Sequence, residues 1–390
     1  MKRSITTGPI ETRLVKIGLR LSILWVATRE LGSLRQAIRT LIKLIKYRKT
    51  FQGDRRAIKF VRSPGGYHLA LNAPMWPSPA FFSFIRNELH RIENNHDNHW
   101  LLTLIFSVTS KCSLNCEHCF EWNNLSGDEA LSLDALKMIL ANFQKNGIGQ
   151  VQVSGGEPLQ RLDDTLELVR TAQSNSEFWL LSSGIGLTLD VATQLKSAGF
   201  LGVNLSLDHW NPEKHNAFRG NDSSFEWVQK AAQNVRHAGM QLAISVCATQ
   251  EFTSRDNLER YLSLAKSLEC GFVQILEPRS AGRYESEQVE LHQEHIDILT
   301  DFYIEKNTRK ENRSFPMVMY PGYHQRRLGC FGAGLRMLHM DPKGNIHACP
   351  FCRSPIGNSL DQQLHELIDS TRLEGCHVFE QAEMFRSTVP

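Results

Sequence analysis

Three cysteines stand close together in the stretch KCSLNCEHCF, at Cys112, Cys116 and Cys119. Their spacing is C-x3-C-x2-C, and the next cysteine, Cys247, lies more than a hundred residues further along the chain. A structural zinc site needs four ligands, and so does an iron–sulfur cluster that is held by protein alone. Three thiolates on one short segment therefore leave one position of a metal or cluster open for another ligand.

The composition is that of a soluble globular protein long enough for more than one domain. Hydrophobic residues make up 41% and charged residues 22% of the 390 residues. These fractions are ordinary for a folded chain with a sizeable core. The nine cysteines are odd in number and mostly fall in two groups. This pattern argues against a secreted disulfide framework and predicts metal or redox use in a reducing cytoplasm.

The charge is distributed unevenly. Residues 1–50 contain twelve Lys or Arg and two acids and carry about +10, so the remainder carries about −7. This acidic remainder shows no signature of nucleic-acid binding. The longest uncharged apolar stretch near the N-terminus, Leu21–Thr28, is far shorter than the roughly 20 residues of a membrane span. Arg29 and Glu30 follow it without an A-x-A cleavage site, so we predict neither a targeting segment nor a transmembrane helix.

Three regions follow one another along the chain. We predict an N-terminal extension (1–100), a core (101–285) and a cysteine-rich C-terminal domain (286–390). In the extension, apolar residues recur at helical spacing with Lys and Arg between them. They are Leu14, Ile17, Leu21, Leu24 and Trp25, then Leu34, Ile38, Leu41, Ile42 and Ile45. A hairpin that turns at Pro64-Gly65-Gly66 and a linker over Asn72–Phe82 complete this region.

The core alternates between short apolar strands and helical segments. The strands are predicted at 101–109, 149–155, 177–184, 202–208, 241–249 and 272–278, with helices such as 132–146, 188–198, 224–238 and 256–268 between them. Repeated strand–helix units imply parallel strands, either in a doubly wound sheet or in a (β/α) barrel. In 202–208 and 241–249, polar residues alternate with apolar ones. A barrel with a polar lumen explains that alternation, whereas both faces of a doubly wound sheet are covered by helices.

The cysteines follow the first strand, and the second strand ends in VSGGEP. In a barrel both segments lie at the rim that carries the chemistry. Together they resemble the radical S-adenosylmethionine (radical SAM) superfamily over about residues 101–280. The resemblance implies a partial (β/α)6 TIM-type barrel with a [4Fe–4S] cluster on Cys112, Cys116 and Cys119. In that family the fourth iron binds S-adenosylmethionine, and one electron from the cluster cleaves it. The resulting 5′-deoxyadenosyl radical abstracts hydrogen from a substrate.

The resemblance also implies roles for residues at the ends of the next strands. The methionine amino group is received by Gly155, Gly156, Glu157 and Pro158. Contacts to the ribose and the carboxylate are expected from Ser183, Ser206, Asp208 and Arg219. Two departures from the family pattern are His118, where an aromatic is common, and Ser182-Ser183-Gly184 in place of the usual TNG.

Several of these residues have plainer interpretations. Gly155-Gly156 could form an ordinary strand-to-helix turn, and Asp208 could cap a helix before Asn211-Pro212. Arg219 could be a solvated surface residue. Cys247 fits a small core residue better than a hydrogen donor. The cysteine triplet itself could bind structural zinc with His118 or a distant cysteine.

A second cysteine group lies after the core, in GCFGAGLRMLHMDPKGNIHACPFC. The arrangement C-x13-G-x4-C, on a predicted hairpin, resembles the C-terminal extension called SPASM or its shortened form, the twitch domain. The resemblance implies one auxiliary [4Fe–4S] cluster on Cys330, Cys349, Cys352 and Cys376. A zinc knuckle is the alternative, because four cysteines also suit zinc.

The two resemblances imply a radical SAM enzyme that acts on a peptide, a protein or a small natural product, with an electron donor such as flavodoxin or ferredoxin. The alternative is a non-catalytic metal-binding scaffold or regulatory protein with structural zinc. For residues 1–50 we expect contact with an anionic membrane surface, which would place a cytoplasmic protein at the inner face of the membrane. Packing of Leu14–Ile45 against the barrel and docking of an acidic leader peptide are the other two explanations of the same pattern.

Overall fold

A computed structural model describes residues 5–52, 57–93, 99–125, 128–330, 332–352, 354–376 and 378–379. The outer ends of the predicted N-terminal extension and C-terminal domain, residues 1–4 and 380–390, lie outside this range. The helices are α1 (Pro9–Leu31), α2 (Leu34–Gln52), α3 (Pro79–Glu93), α4 (Leu133–Lys145), α5 (Leu162–Arg170), α6 (Leu189–Ala198), α7 (Pro212–Arg219), α8 (Ser224–His237), α9 (Arg255–Ser267), α10 (Gln293–Thr308), α11 (Pro321–Leu328) and α12 (Leu364–Glu374). The strands are β1 (Val61–Ser63), β2 (Gly66–His68), β3 (Thr103–Ser107), β4 (Gln150–Ser154), β5 (Glu177–Ser182), β6 (Phe200–Ser206), β7 (Gln241–Cys247), β8 (Phe272–Leu276), β9 (Met317–Met319), β10 (Met337–Met340), β11 (Asn345–His347) and β12 (Gly357–Asn358).

The central sheet confirms the predicted α/β barrel class. Its strand order is β12-β11-β10-β3-β4-β5-β6-β7-β8-β9, and the pairs from β10 to β9 are all parallel. The six predicted core strands are β3 to β8, and the four predicted helices are α4, α6, α8 and α9. Within the described residues the terminal strands β9 and β12 do not pair with each other. The barrel is therefore partial, as predicted.

The alternation that favoured a barrel corresponds to two different faces of the sheet. Val203 and Leu205 are fully buried in the main core beneath the helices. On the opposite face, the Asn204 side-chain amide donates to Gln274 Oε1 on β8 at 2.9 Å. The Asn204 amide nitrogen thus finds a polar partner inside the barrel, whereas the outer face is apolar because helices cover it.

The N-terminal extension closes the lower end of the barrel. The predicted hairpin is present as β1 and β2, and Val61 packs with Leu71, Trp179 and Phe272 in a separate apolar cluster. The Gln150 side-chain amide donates to the carbonyl of Leu71 at 2.9 Å. Because the strands run upward from this end, the hairpin seals the barrel on the side opposite the cysteine loop.

The linker predicted at Asn72–Phe82 is only partly correct. Helix α3 begins at Pro79, so the last four residues of the predicted linker are helical. Trp76 also forms an antiparallel bridge with Tyr67. The prediction failed because proline is favoured in the first turn of a helix as well as in linkers.

Helices α1 and α2 confirm the two predicted helical segments, but they pack through an unexpected face. The buried apolar positions are Val15, Leu19, Val26, Ala27 and Ala37. Most of the apolar residues that defined the predicted pattern are instead exposed, namely Leu14, Ile17, Leu21, Trp25, Leu34, Ile38, Ile42 and Ile45. No helix in the described parts of the chain combines the length and apolar composition required to cross a bilayer.

The C-terminal hairpin is also confirmed, as β10 and β11. Its placement was not predicted, because β10 pairs in parallel with β3, the strand that leads into the cysteine loop. The hairpin therefore extends the central sheet and brings the second cysteine group next to the first strand of the barrel.

Candidate metal centres

The loop that carries Cys112, Cys116 and Cys119 follows β3 at the carboxyl rim of the barrel. Neighbouring segments hold its backbone from two sides. The amide of Glu117 donates to the carbonyl of Phe218 at 2.9 Å. The Arg283 backbone amide donates to the carbonyl of Cys119 at 2.9 Å, and its guanidinium donates to the carbonyl of Cys116 at 3.3 Å. The cysteine loop is thus fixed by its surroundings rather than free in solvent.

The environment of the three thiols suits ligands of a positively charged group. Burial raises the pKa of Cys112, and burial together with the neighbouring Cys116 raises the pKa of Cys119 to about 12. Thiolates at these positions therefore need a compensating cation, which a metal cluster supplies. Within the described residues, no three His, Cys, Asp or Glu side chains stand close enough together to hold one metal ion.

The two glycines after β4 bring their own loop against the cysteine loop. A Cβ on Gly155, whose φ is +134°, would overlap the carbonyl oxygen of Thr109, and one on Gly156 would overlap that of Lys111. The amide of Gly156 donates to Thr109 at 2.8 Å, and that of Glu157 donates to Lys111 at 2.7 Å. The observed close approach is therefore between two backbone segments. Contact of the glycines with a ligand stays a prediction.

Glu157 links β4 to the end of β5. Its carboxylate is buried and accepts hydrogen bonds from the hydroxyl of Ser182 at 2.9 Å and the hydroxyl of Ser183 at 2.6 Å. It also accepts from the amides of Ser183 and Leu159. Burial raises the pKa of Glu157 although these donors oppose the shift. The carboxylate is thus occupied by the protein, and Ser183 serves to hold it.

Asp208 and Arg219 form a buried ion pair beside the first cysteine group. Arg219 Nε and Nη2 both lie 2.6 Å from Asp208 Oδ2. Arg219 Nη1 also approaches Cys116 Sγ at 3.4 Å. Burial raises the pKa of Asp208, but the Arg219 guanidinium, the nearby His118 and His215 and the amide of Cys247 together lower it more, so the net pKa is below its ordinary value. The Arg219 guanidinium therefore contacts both Asp208 at the barrel rim and the sulfur of Cys116.

The plainer interpretations of these two residues are wrong. Helix α7 is capped by Asn211, whose side chain accepts from the amide of Lys214, and not by Asp208. Arg219 is 93% buried rather than solvated, because its exposed fraction is 7%. Cys247 is buried, as its interpretation as a core residue requires, and its amide donates to Asp208 Oδ1 at 3.0 Å.

Two further predicted residues stand at the same rim. Ser206 ends β6, and its half-buried hydroxyl has no hydrogen-bond partner among the described residues. Pro158 is buried and begins a short 3-10 helix, Pro158–Arg161. The free hydroxyl of Ser206 is available to a bound molecule, whereas Pro158 shapes the loop.

The second group brings all four of its predicted ligands into one small cluster. Cys330 lies with Ala333 and Ala348, and Cys352, Cys376 and Phe379 pack against them. Cys349 Sγ and Cys352 Sγ are 3.4 Å apart. A hydrogen bond between the thiols of Cys330 and Cys376 raises the pKa of the first and lowers that of the second. Thiolate donors suit zinc or an iron–sulfur cluster by their chemistry, but in this structure they are not close enough together to hold one metal ion.

Sequence patterns missed the polar bridge between the two groups. Glu121, two residues after Cys119, accepts from Ser107 at 2.7 Å and forms a hydrogen-bond contact of 2.9 Å with Nε2 of His339 on β10. The rings of His339 and His347 are 5.5 Å apart, and His347 contacts the carbonyl of Cys352 at 3.2 Å. The sequence did not indicate this bridge, because a single His on a short strand cannot be told from any other buried residue by its pattern.

A second missed feature is the segment that clamps the cysteine loop from above. Gly282–Tyr284 forms a 3-10 helix, and a Cβ on Gly282 would overlap the carbonyl oxygen of Cys119. The Tyr284 hydroxyl donates to Glu117 at 2.7 Å. These residues lie in the segment that follows the carboxyl end of β8. That location in the chain was the only sequence feature that could have pointed to a role at the rim.

Comparison with known proteins supports the family expected from the cysteine and glycine motifs. Residues 106–253 match the model of the radical SAM superfamily. Mycofactocin maturase MftC from Mycolicibacterium smegmatis is 30% identical over 264 residues. This match spans 64% of this chain and 64% of MftC, which is less than two thirds of that relative's length.

Solved structures share the fold at low identity. Streptococcus suis SuiB bound to its precursor peptide SuiA aligns with a TM-score of 0.54 and 13% identity, over 86% of this chain and 77% of SuiB. The enzyme anSMEcpe with bound AdoMet and a Cp18Cys peptide aligns with a TM-score of 0.54 and 21% identity, over 70% of this chain and 81% of its own. Both alignments concern the fold alone. In its motifs, its partial barrel and the matched region, residues 106–253, this chain is similar to the radical SAM superfamily.

Proposed function

We propose that this protein is a radical SAM enzyme whose first site is formed by Cys112, Cys116 and Cys119. When bound there, a [4Fe–4S] cluster supplies one electron to S-adenosylmethionine, whose cleavage yields methionine and a 5′-deoxyadenosyl radical that takes a hydrogen atom from the substrate. The observation that carries the proposal is the Arg219 guanidinium, buried between Asp208 and Cys116 at the barrel rim. A structural zinc knuckle has no use for this charge, so the non-catalytic alternative is not supported.

The protein's own residues orient and shield the reacting groups. Arg219 supplies positive charge next to a ligand sulfur, and Asp208 holds the guanidinium in place. Glu157 fixes the glycine loop to β5 and so sets the wall on which S-adenosylmethionine would lie. Ser206 offers a free hydroxyl on the next strand. Preorganised groups of this kind reduce the reorganisation that the reaction would otherwise require.

The closed lower end of the barrel defines the route of the substrate. The apolar cluster of Val61, Leu71 and Phe272 blocks entry from below. A substrate must therefore approach at the carboxyl rim, where the cysteine loop lies. A closed floor also limits water near the radical, which protects it from side reactions.

We propose a peptide or protein as the substrate class, with a small natural product as the second candidate. Support comes from relatives: MftC is named a maturase, and SuiB and anSMEcpe were each solved with a peptide. A short peptide encoded beside this protein's gene should gain or lose mass when incubated with the reduced enzyme and S-adenosylmethionine. Mass spectrometry would detect that change, and an unchanged peptide alongside a modified small molecule would reverse the preference.

For the second site we propose one auxiliary [4Fe–4S] cluster on Cys330, Cys349, Cys352 and Cys376. Cys330, Cys352 and Cys376 share one small cluster beside the C-terminal hairpin, and Cys349 Sγ lies 3.4 Å from Cys352 Sγ. The alignment with SuiB covers 86% of this chain and so extends beyond the matched radical SAM region. Zinc satisfies the same donor set, and metal analysis distinguishes the two.

Two partners complete the proposal. Flavodoxin or ferredoxin serves as the one-electron donor, because the chemistry of the first site requires reduction one electron at a time. The protein works in the cytoplasm, at the inner face of the membrane, and the basic helices α1 and α2 support that location.

Replacing Cys112, Cys116 and Cys119 together by Ala tests the first site. We expect the variant to release no 5′-deoxyadenosine after anaerobic reconstitution and reduction, because the cluster that supplies the electron loses every protein ligand. Cys270→Ala is the matched control, since this buried cysteine belongs to the core and lies outside both cysteine groups. Release of 5′-deoxyadenosine by the triple variant at the wild-type rate would show that the proposal is wrong.

The same triple variant tests the auxiliary site. It should retain iron and sulfide at about four of each per chain, because the ligands of the second cluster are intact. Adding Cys349→Ala and Cys352→Ala should remove this remainder. Stoichiometric zinc without sulfide in the anaerobically prepared triple variant would instead identify a zinc knuckle.

A further inference from the structure

Helices α1 and α2 each present a row of large apolar side chains to solvent. On α1 the row is exposed by 52% to 76%, and on α2 by 48% to 55%. Members are three or four residues apart, so each row occupies one face of its helix. We name the two rows together the apolar ridge, which consists of Ile10, Leu14, Ile17, Leu21, Trp25, Leu34, Ile38, Ile42 and Ile45.

The ridge is not the surface that attaches the helices to the rest of the protein. Val15, Leu19 and Val26 bury the other side of α1, in a cluster that includes Phe81 and Ile85 of α3. Helix α1 is therefore apolar on two sides, of which the protein uses one. Nine large apolar side chains on two adjacent helices exceed the scattered exposure that is normal for a surface.

Basic residues flank the ridge, and the acids of this segment are already paired. Glu11 pairs with Arg62 and accepts from Tyr67, while Glu30 pairs with Arg86. Both carboxylates are thus directed to the body of the protein. Exposed cations without an ion-pair partner among the described residues are Arg13, Arg20, Arg29, Arg35, Arg39, Lys46 and Arg48.

We propose that the apolar ridge inserts into the interfacial layer of an anionic lipid bilayer, with the flanking cations on the lipid phosphates. This inference rests on the membrane-face location proposed above and names the surface responsible. An apolar face bordered by Lys and Arg is the chemistry that an anionic interface recognises. Insertion lies in the plane of the membrane, which agrees with the exposed sides of two helices that are too polar overall to span it.

The test uses the full-length, reconstituted protein and sedimentation with two kinds of vesicle. One contains phosphatidylcholine with phosphatidylglycerol, and the other contains phosphatidylcholine alone. The ridge variant carries Leu14→Ser, Leu21→Ser, Ile38→Ser and Ile42→Ser. Its matched control carries Met138→Ser and Leu189→Ser, which are exposed by 59% and 49% on helices far along the chain. A charge variant carries Arg35→Gln and Arg39→Gln.

We expect wild type and the matched control to bind the anionic vesicles equally. The ridge variant should bind at least about tenfold more weakly, because four apolar side chains no longer leave water. The charge variant should bind more weakly at low salt and differ little from wild type at high salt. All variants should release 5′-deoxyadenosine at the wild-type rate, so failure of that assay would concern the enzymatic proposal alone.

Trp25 reports insertion directly, because it belongs to the ridge and is 57% exposed. Vesicles with brominated acyl chains should quench its fluorescence, and the quenching should disappear in Trp25→Phe. Equal quenching in wild type and Trp25→Phe would overturn insertion.

Other outcomes separate the alternatives. Binding that depends on charge but not on the ridge would keep the membrane location and overturn insertion. Absence of any vesicle binding would overturn both. A ridge variant that changes from dimer to monomer, with vesicle binding unaltered, would assign the ridge to a second copy of this chain. Release of wild type from vesicles by an acidic peptide that binds the ridge would assign it to a peptide.

Discussion

Arg219 is the charged residue that contacts both the barrel rim, at Asp208, and the cysteine loop, at Cys116. Its burial is costly, because a guanidinium removed from water must recover its hydration energy from neighbours. Asp208 provides that compensation, and both groups gain hydrogen bonds at 2.6 Å. A buried ion pair adds little net stability over an apolar pair of the same size. Its place beside Cys116 Sγ therefore indicates a role in holding charge next to the cluster ligand.

The variant Asp208→Asn isolates that role, because it removes the carboxylate and keeps the shape. We expect the free energy of unfolding to fall by about 3 kcal/mol, since Arg219 stays buried without its counter-ion. Release of 5′-deoxyadenosine should fall as well, while all cysteine ligands and the bound iron remain. Asp256→Asn is the control, because Asp256 pairs with Arg260 on an exposed helix surface. Equal stability losses in the two variants, measured by urea unfolding, would contradict the argument.

At the scale of elements, short segments without a sequence pattern position the cysteine loop. The 3-10 helix Gly282–Tyr284 contacts the loop at Cys119 and Glu117. The residue at 282 has φ of +60° and no space for a side chain, so glycine is required for two separate reasons.

Replacing Gly282 by Ala should disturb the first site more than the fold. The positive φ costs roughly 1 kcal/mol, and the added methyl group must also displace the carbonyl of Cys119. Gly239→Ala is the control, because Gly239 has φ of +74° and nothing within 4 Å of an added Cβ. We expect the larger stability loss in Gly282→Ala, and a reduction of 5′-deoxyadenosine release by about tenfold or more in Gly282→Ala only. An equal reduction of release in both variants would show that strain alone is responsible.

The regular elements were predictable because their signals are local. Short apolar runs between helical segments identified all six core strands, and residues such as Thr188 and Ser254 cap helices α6 and α9. The pairing of β10 with β3 was not predictable, because register between distant strands depends on packing rather than on local pattern. For the same reason the motifs indicated which residues form the site but not that Glu157 bonds to Ser183 or that Arg219 bonds to Asp208.

At the scale of the whole molecule, the N-terminal extension is tied to the core by the hydrogen bond from Gln150 to the carbonyl of Leu71, and at two places to the predicted C-terminal domain. The ammonium of Lys59 is buried and donates to the carbonyls of Asn312, Phe315 and Pro316. The Arg91 guanidinium on α3 donates to the carbonyl of Leu335, just before β10. The boundaries predicted at residues 100 and 285 stay a prediction, and these contacts imply that the regions unfold together.

The basic character of the N-terminal segment was evident from its composition, but the orientation of its helices against the rest of the protein was not. Composition does not reveal which apolar residues of α1 are buried, because both sides of the helix carry a helical pattern. The structure buries Val15 and exposes Leu14. Which of the two sides of α1 is buried depends on the positions of α3 and the hairpin, which the sequence of α1 does not contain.

Glu88 and Arg336 connect α3 to the start of β10 through hydrogen bonds of 2.6 and 2.7 Å. Burial raises the pKa of Glu88, but the guanidiniums of Arg336 and Arg91 lower it further, so the net value lies below its ordinary 4.5. An acid with a lowered pKa stabilises the fold above the pKa of the unfolded chain, and this contribution is lost as pH falls through the folded value.

Glu88→Gln should therefore reduce the free energy of unfolding by about 3 kcal/mol at neutral pH, and the deficit should shrink below about pH 4.5. Glu226→Gln, from an exposed pair with Lys230, should change it by less than about 1 kcal/mol throughout. If the deficit of Glu88→Gln were the same in acid as at neutral pH, the ionised carboxylate would not be what joins the two regions.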